Sequence, residues 1–158
     1  MKKGERLLLL AGILLSIGVL IFSAWKLRGI YGEYQEGEDT YEELFAFVEE
    51  PEDTPEDATD EPEAEPSGYL QINFAGLQAV NPDVIAWIDI PGLSVSYPVV
   101  QGNDNAYYLH HLITGEYNSS GSIFADCHNQ PDFTDQNTII YGHNMKNGSM
   151  FGTLSHYQ

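Results

Sequence analysis

The sequence predicts a mainly β domain with short flanking helices, preceded by one transmembrane helix. Three observations predict it. Val84–Ile90, Tyr97–Gln101, Ser122–Ala125 and Thr138–Tyr141 are short runs rich in β-branched and aromatic residues, separated by turn-forming Pro, Gly and Asn. Leu7–Trp25 is an uncharged run of 19 residues, close to the ~20 that cross a bilayer as a helix. Between these regions, residues 33–65 hold sixteen acidic residues and no basic one, so the chain is not one uniform globule.

The net charge is −18, and five of the six basic residues lie in the first 28 positions. Nucleic acid is excluded as a partner, because phosphate binding needs clustered Lys and Arg. Cys127 is the single cysteine, so no intrachain disulfide forms.

Residues 1–6 are expected to be a cytoplasmic amino terminus and residues 7–27 a membrane signal anchor, flanked by Lys2, Lys3 and Arg6 before and Lys26 and Arg28 after. A cleaved signal peptide is disfavoured, since Ser23-Ala24-Trp25 runs straight into Lys26 without a small-residue cleavage site. Residues 28–67 read as an acidic, Pro-rich stalk, disordered from about Glu49 to Ser67, because it repels itself and has little apolar surface to bury. One island interrupts it. Thr40-Tyr-Glu-Glu43 has the form of a capping box, and Tyr41, Leu44, Phe45 and Val48 share a helical face, which predicts a short helix within 40–50 that forms only if that face is covered.

The folded part is expected from residue 68 to 158. Leu70, Phe74 and Leu77 suggest an amphipathic helix, weakened by Gly76 and ended at Asn81-Pro82. Val84–Ile90 alternates as a strand, and Pro91-Gly92 turns the chain. In the next strand, Tyr97–Gln101, Pro98 belongs at an edge or at the first residue. Asn103-Asp-Asn105 offers caps to a short helix through Ala106–Leu109. Ser122–Ala125 is the third strand and Thr138–Tyr141 the fourth; Ser149 can cap a last short helix holding Met150 and Leu154. Four strands would leave Ile88, Val99, Ile123 and Ile139 partly uncovered.

His143 follows the fourth strand directly after Gly142. A strand end is where a rigid scaffold meets a loop, and imidazole is the side chain whose ordinary pKa lies nearest working pH, so His143 is the candidate acid–base residue. Asp126-Cys127-His128 sets a thiol beside an imidazole. If these residues continue the third strand, neighbours point to opposite faces and Cys127 does not meet His128. His110, His111, His128 and His156 add potential metal donors to Asp126 and Cys127, but no C-x-x-C or H-E-x-x-H spacing is present. No metal and no cofactor is expected.

Asn81-Pro-Asp-Val-Ile-Ala-Trp-Ile-Asp-Ile-Pro-Gly92, Tyr97-Pro-Val-Val-Gln101, Gly121-Ser-Ile-Phe124, Ile140-Tyr-Gly-His-Asn-Met145, Ser149-Met-Phe-Gly152 and Leu154 occur in this order. Together they resemble the class B sortases, membrane-anchored cysteine transpeptidases of Gram-positive bacteria. The resemblance covers roughly residues 70–158 and implies a sortase-like β-barrel in which His143 matches the catalytic histidine. It implies as partners the sorting signal of a surface protein and an amine of the cell wall or of a pilin, with the carboxy-terminal domain outside the membrane. The family's nucleophile lies in a Thr-Leu-x-Thr-Cys type motif on a later strand, followed by an arginine. Neither motif is present here, there is no arginine after Arg28, and Cys127 precedes the histidine strand and does not match. The resemblance therefore implies an amino-terminal part of a sortase, its carboxy-terminal strands missing through gene disruption or an incomplete gene model, and inactive alone. Two other readings stay open: a non-catalytic anchored protein that binds sorting signals or a sortase partner, and a metal-binding surface protein.

Overall fold

The structure, a computed structural model, describes residues 3–49 and 70–157. Most of the stalk expected at 49–67 therefore lies outside the described residues, as does the predicted start at residue 68. Helix α1 runs Lys3–Leu44, and the chain divides into two units, residues 1–36 and 37–158.

In the first unit the apolar side chains of α1 face outward: Leu8 is 76% exposed and Leu15 72%. A helix with no polar face and nothing of its own to bury suits hydrocarbon better than water. By length and composition it is apolar enough to cross a membrane. Ser16 satisfies its hydroxyl within the helix by donating to the Gly12 carbonyl (2.9 Å), and Lys26 lies over the Trp25 ring at 5.9 Å.

The second unit begins with the last turns of α1. The expected short helix does exist at Thr40–Leu44, but it does not start at Thr40; it is the end of a helix begun far upstream. Extending an existing helix by a residue costs far less than nucleating one, so Arg28–Asp39, expected as stalk, is helical too. Half of the predicted apolar face is used as expected: Tyr41 and Leu44 are buried, with Tyr41 edge-on to Tyr97 at 5.4 Å, whereas Phe45 is 45% exposed and Val48 lies beyond the helix. A 3-10 turn, Phe45–Phe47, follows. Then β1 (Val48–Glu49) pairs antiparallel with β2 (Gln71–Ile72), so Glu49 is in a strand where a disordered stalk was expected to begin.

Helix α2 spans Phe74–Val80; Leu70 precedes it, and Asn73 caps it by accepting from the Gly76 amide at 2.9 Å. Gly76, which weakens the helix locally, is explained by packing: a Cβ there would sit 2.5 Å from the Phe47 ring. The helix ends at Asn81 as predicted, with Leu77 fully buried.

A four-stranded sheet forms the centre, in the order β3 (Val84–Ile90), β4 (Val95–Val100), β5 (Ile123–Ala125), β6 (Ile140–Tyr141). β3 and β4 are antiparallel, β4 and β5 parallel, β5 and β6 antiparallel. Among the described residues the sheet is open and does not close into a barrel. Pro98 corrects the expectation of an edge or first position: it lies inside β4, which has a strand on either side, and opposite Trp87. It is tolerated because β5 pairs only from Val99 onward, leaving β4 a single neighbour at Pro98. The uncovered face is smaller than expected. Val99 and Ile123 are buried, Ile88 is half-buried, and Ile139 is 51% exposed.

The parallel β4–β5 pair requires a crossover, and residues 101–122 make it. It contains the 3-10 turn Tyr107–Leu109, capped by Asp104, whose Oδ1 accepts the Ala106 and Tyr107 amides at 2.8 Å. Tyr108 is its buried anchor, donating to Asp83 Oδ2 (2.7 Å) and accepting from Asn81 Nδ2 (2.9 Å). The last predicted helix is instead a turn through Gly152 and a 3-10 turn, Leu154–His156; Ser149 bonds Asn147 Oδ1 rather than capping it.

Candidate functional site

β6 pairs with β5 through Phe124–Tyr141 and Ala125–Ile140, and the chain leaves the sheet at Gly142. His143 is half-buried there. Its Nε2 lies 2.8 Å from the carbonyl oxygen of Leu109, thirty-four positions earlier. A carbonyl only accepts, so Nε2 carries the hydrogen and the neutral ring keeps its lone pair on Nδ1. The Phe151 amide donates to the His143 carbonyl at 3.0 Å, tying its backbone to the following loop. The His110 ring lies 6.1 Å from that of His143, centroid to centroid. His111 turns elsewhere: it stacks on Tyr107 at 4.0 Å and donates through Nδ1 to the Tyr107 carbonyl at 2.7 Å.

The Leu109 carbonyl was not legible as a site group, because backbone carries no residue signal. Its placement rests on the buried Tyr108 and on Gly121. The latter adopts φ +58, and a Cβ there would lie 2.5 Å from the Tyr108 oxygen and 2.6 Å from the Leu109 oxygen. Glycine is needed for both the backbone region and the close approach.

Asp126, Cys127 and His128 depart from the expected strand continuation. β5 stops at Ala125, and Asp126 Oδ1 accepts the His128 amide at 2.9 Å, closing a turn. The turn puts the two neighbours on one side: Cys127 Sγ lies 3.4 Å from His128 Nδ1, which also lies 2.9 Å from Asp126 Oδ1. The other carboxylate oxygen accepts from Tyr141 Oη and Asn105 Nδ2, each at 2.9 Å. These donors, the His128 amide first, then the His128 ring and Tyr141, hold the Asp126 carboxyl well below the usual carboxylate range. Asn105 and Tyr141 were legible as a cap and a strand residue, not as supports of this turn.

A pH dependence follows. Asp126, Asp104 and Asp135 all have folded pKa values below their ordinary ones, chiefly from donated hydrogen bonds. Their stabilisation is present above the unfolded value of about 3.9 and is lost as pH falls through the lower folded values. Tyr41, Tyr97 and Tyr108 are pushed up, chiefly by burial, so their contribution is lost as pH rises past about 10. Thermal melts of the full chain across pH should fall at both ends, with Asp126→Asn flattening the acid limb. An acid limb unchanged in Asp126→Asn contradicts this assignment.

No described family profile matches the chain. The sequence is 38% identical to sortase B of Listeria monocytogenes over 144 residues, 91% of this chain and 55% of that protein. The fold matches the structure of sortase B from B. anthracis with a TM-score of 0.63 at 35% identity, covering 80% of this chain and 56% of that one. It matches the Staphylococcus aureus sortase B–substrate complex with a TM-score of 0.51 at 39% identity, covering 53% and 39%. The chain spans about half the length of the Listeria protein it matches. This chain is a homologue of the class B sortases.

Proposed function

We propose that the chain contributes the acid–base half of a class B sortase transpeptidase, anchored by residues 7–27 with its carboxy-terminal domain outside the membrane. The observation that carries the reading is His143 itself: a histidine at a sheet end, with Nε2 committed to the Leu109 carbonyl and Nδ1 left as the proton-transfer atom. The solved Staphylococcus aureus sortase B–substrate complex, similar in fold to this chain, supports a reading in which the site serves a bound substrate. In the proposed reaction a cysteine thiolate attacks the threonine carbonyl of a sorting signal, an arginine steadies the developing oxyanion, and His143 gives a proton to the leaving amine. A cell-wall or pilin amine then attacks the acyl-enzyme, and His143 takes up its proton. The Leu109 carbonyl, by accepting from Nε2–H, holds the ring so that Nδ1 is the atom that exchanges the proton.

The nucleophile and the arginine are not assigned within these residues. Cys127 is the sole thiol, engaged with His128 rather than His143, and no arginine follows Arg28. The 158-residue chain in detergent, given a sorting-signal peptide and an amine, is expected to yield no ligated product. Turnover that disappears in Cys127→Ala defeats that expectation. Fused to the cysteine- and arginine-bearing region of a class B sortase, the chain should become active, and His143→Ala should then cost roughly 10²–10⁴-fold in kcat. An active fusion indifferent to His143→Ala ends the proposal for His143.

A further inference from the structure

The turn after β5 gathers three different donors. Asp126 Oδ1, Cys127 Sγ and His128 Nδ1 all lie within 4.8 Å of one another, with Nδ1 2.9 Å from the oxygen and 3.4 Å from the sulfur. Zinc bonds of roughly 2.0–2.1 Å to nitrogen and oxygen and about 2.3 Å to sulfur make tetrahedral edges of roughly 3.3 Å for N···O and about 3.6 Å for N···S. The two observed edges are shorter by only a few tenths of an ångström. A metal entering between the three atoms takes the place of the proton that Nδ1 now shares, and the small spreading required falls on His128, whose side chain is 86% exposed.

The surroundings also suit a cation. Asp126 is held from behind by Tyr141 Oη and Asn105 Nδ2, so one oxygen is oriented by neighbours while the other faces the sulfur and the imidazole. Asn105 Oδ1 further accepts the Cys127 amide at 2.8 Å, fixing the backbone that carries the thiol. Supports of this kind orient ligands and raise their affinity. The exposed side leaves a coordination position for water or a fourth ligand, and residues 70–157 carry seven carboxylates against the single Lys146, a balance that favours a cation.

We propose that Asp126, Cys127 and His128 form a binding site for a divalent ion of the zinc class, with one nitrogen, one oxygen and one thiolate ligand. The site is separate from the role of His143 and does not depend on it. Binding releases the thiol proton and any proton on Nδ1.

The test is titration of the full reduced chain in detergent with Co(II), read by the thiolate-to-cobalt charge-transfer band, then displacement by Zn(II). One equivalent should bind and give the band. Cys127→Ser should abolish the band, His128→Ala should weaken binding by roughly 10-fold or more, and Tyr141→Phe, which removes a support, by about 10-fold. His156→Gln should change nothing. No band up to millimolar metal, or binding that survives both Cys127→Ser and His128→Ala unchanged, overturns the proposal.

Discussion

Tyr41→Ala should destabilise the folded unit by about 3–5 kcal/mol, the cost of removing a large aromatic from a core. Tyr41 is 5% exposed, and its ring meets Tyr97 edge-on. Its hydroxyl shares one hydrogen between the Gly121 carbonyl (3.1 Å) and Ser122 Oγ (2.9 Å), while Ser122 passes its own hydrogen to the His111 carbonyl (2.9 Å). The residue thus ties the end of α1 to the start of β5. Tyr41→Phe keeps the ring and loses only the hydrogen bonds, so about 1 kcal/mol is expected. Trp87 is the reporter, since its indole donates to Ser96 Oγ and packs on Phe45, and a Trp25→Phe background removes the competing signal. Denaturant melts with Tyr41→Ala and Tyr41→Phe equally mild would show that residues 37–44 are not part of the core.

Gly121→Ala should cost roughly 3 kcal/mol or more, combining left-handed backbone strain with overpacking. The new methyl meets two backbone oxygens, and neither can rotate away as a side chain would. The turn Tyr107–Leu109 must shift, and Leu109 is the residue whose carbonyl holds His143 Nε2. The variant should therefore move the His143 imidazole resonances in an NMR spectrum under conditions where the unit is still folded. A wild-type melting midpoint together with unchanged His143 resonances would sink the claim that Gly121 shapes the site.

Several elements were legible because their causes are local. Val84–Ile90 is a strand as its alternation predicts, and α2 ends at Asn81 because Pro82 forbids its continuation. Asp104 caps the turn at Tyr107 as the Asn-Asp-Asn run suggests. The misreadings have equally definite causes. Thr40 has the form of a helix start, but the helix was already running, and a capping signal decides nothing where no new nucleus is needed. Pro98 signals a missing donor, yet which flank of β4 lacks a partner depends on where β5 begins. Asp126 carried a turn signal that competed with strand continuation, and its carboxylate captured the His128 amide.

By itself the sequence determined the membrane-length apolar helix, the four strands and a histidine immediately beyond the last of them, since periodicity and turn chemistry act over a few neighbouring residues. Only the tertiary structure decided that Tyr41 is core, that Cys127 and His128 meet over Asp126, and which nitrogen of His143 donates to the Leu109 carbonyl. The physical reason is distance along the chain. The carbonyl that fixes the His143 ring comes from a crossover turn thirty-four positions away, and only the parallel pairing of β4 and β5 brings that turn beside the end of β6.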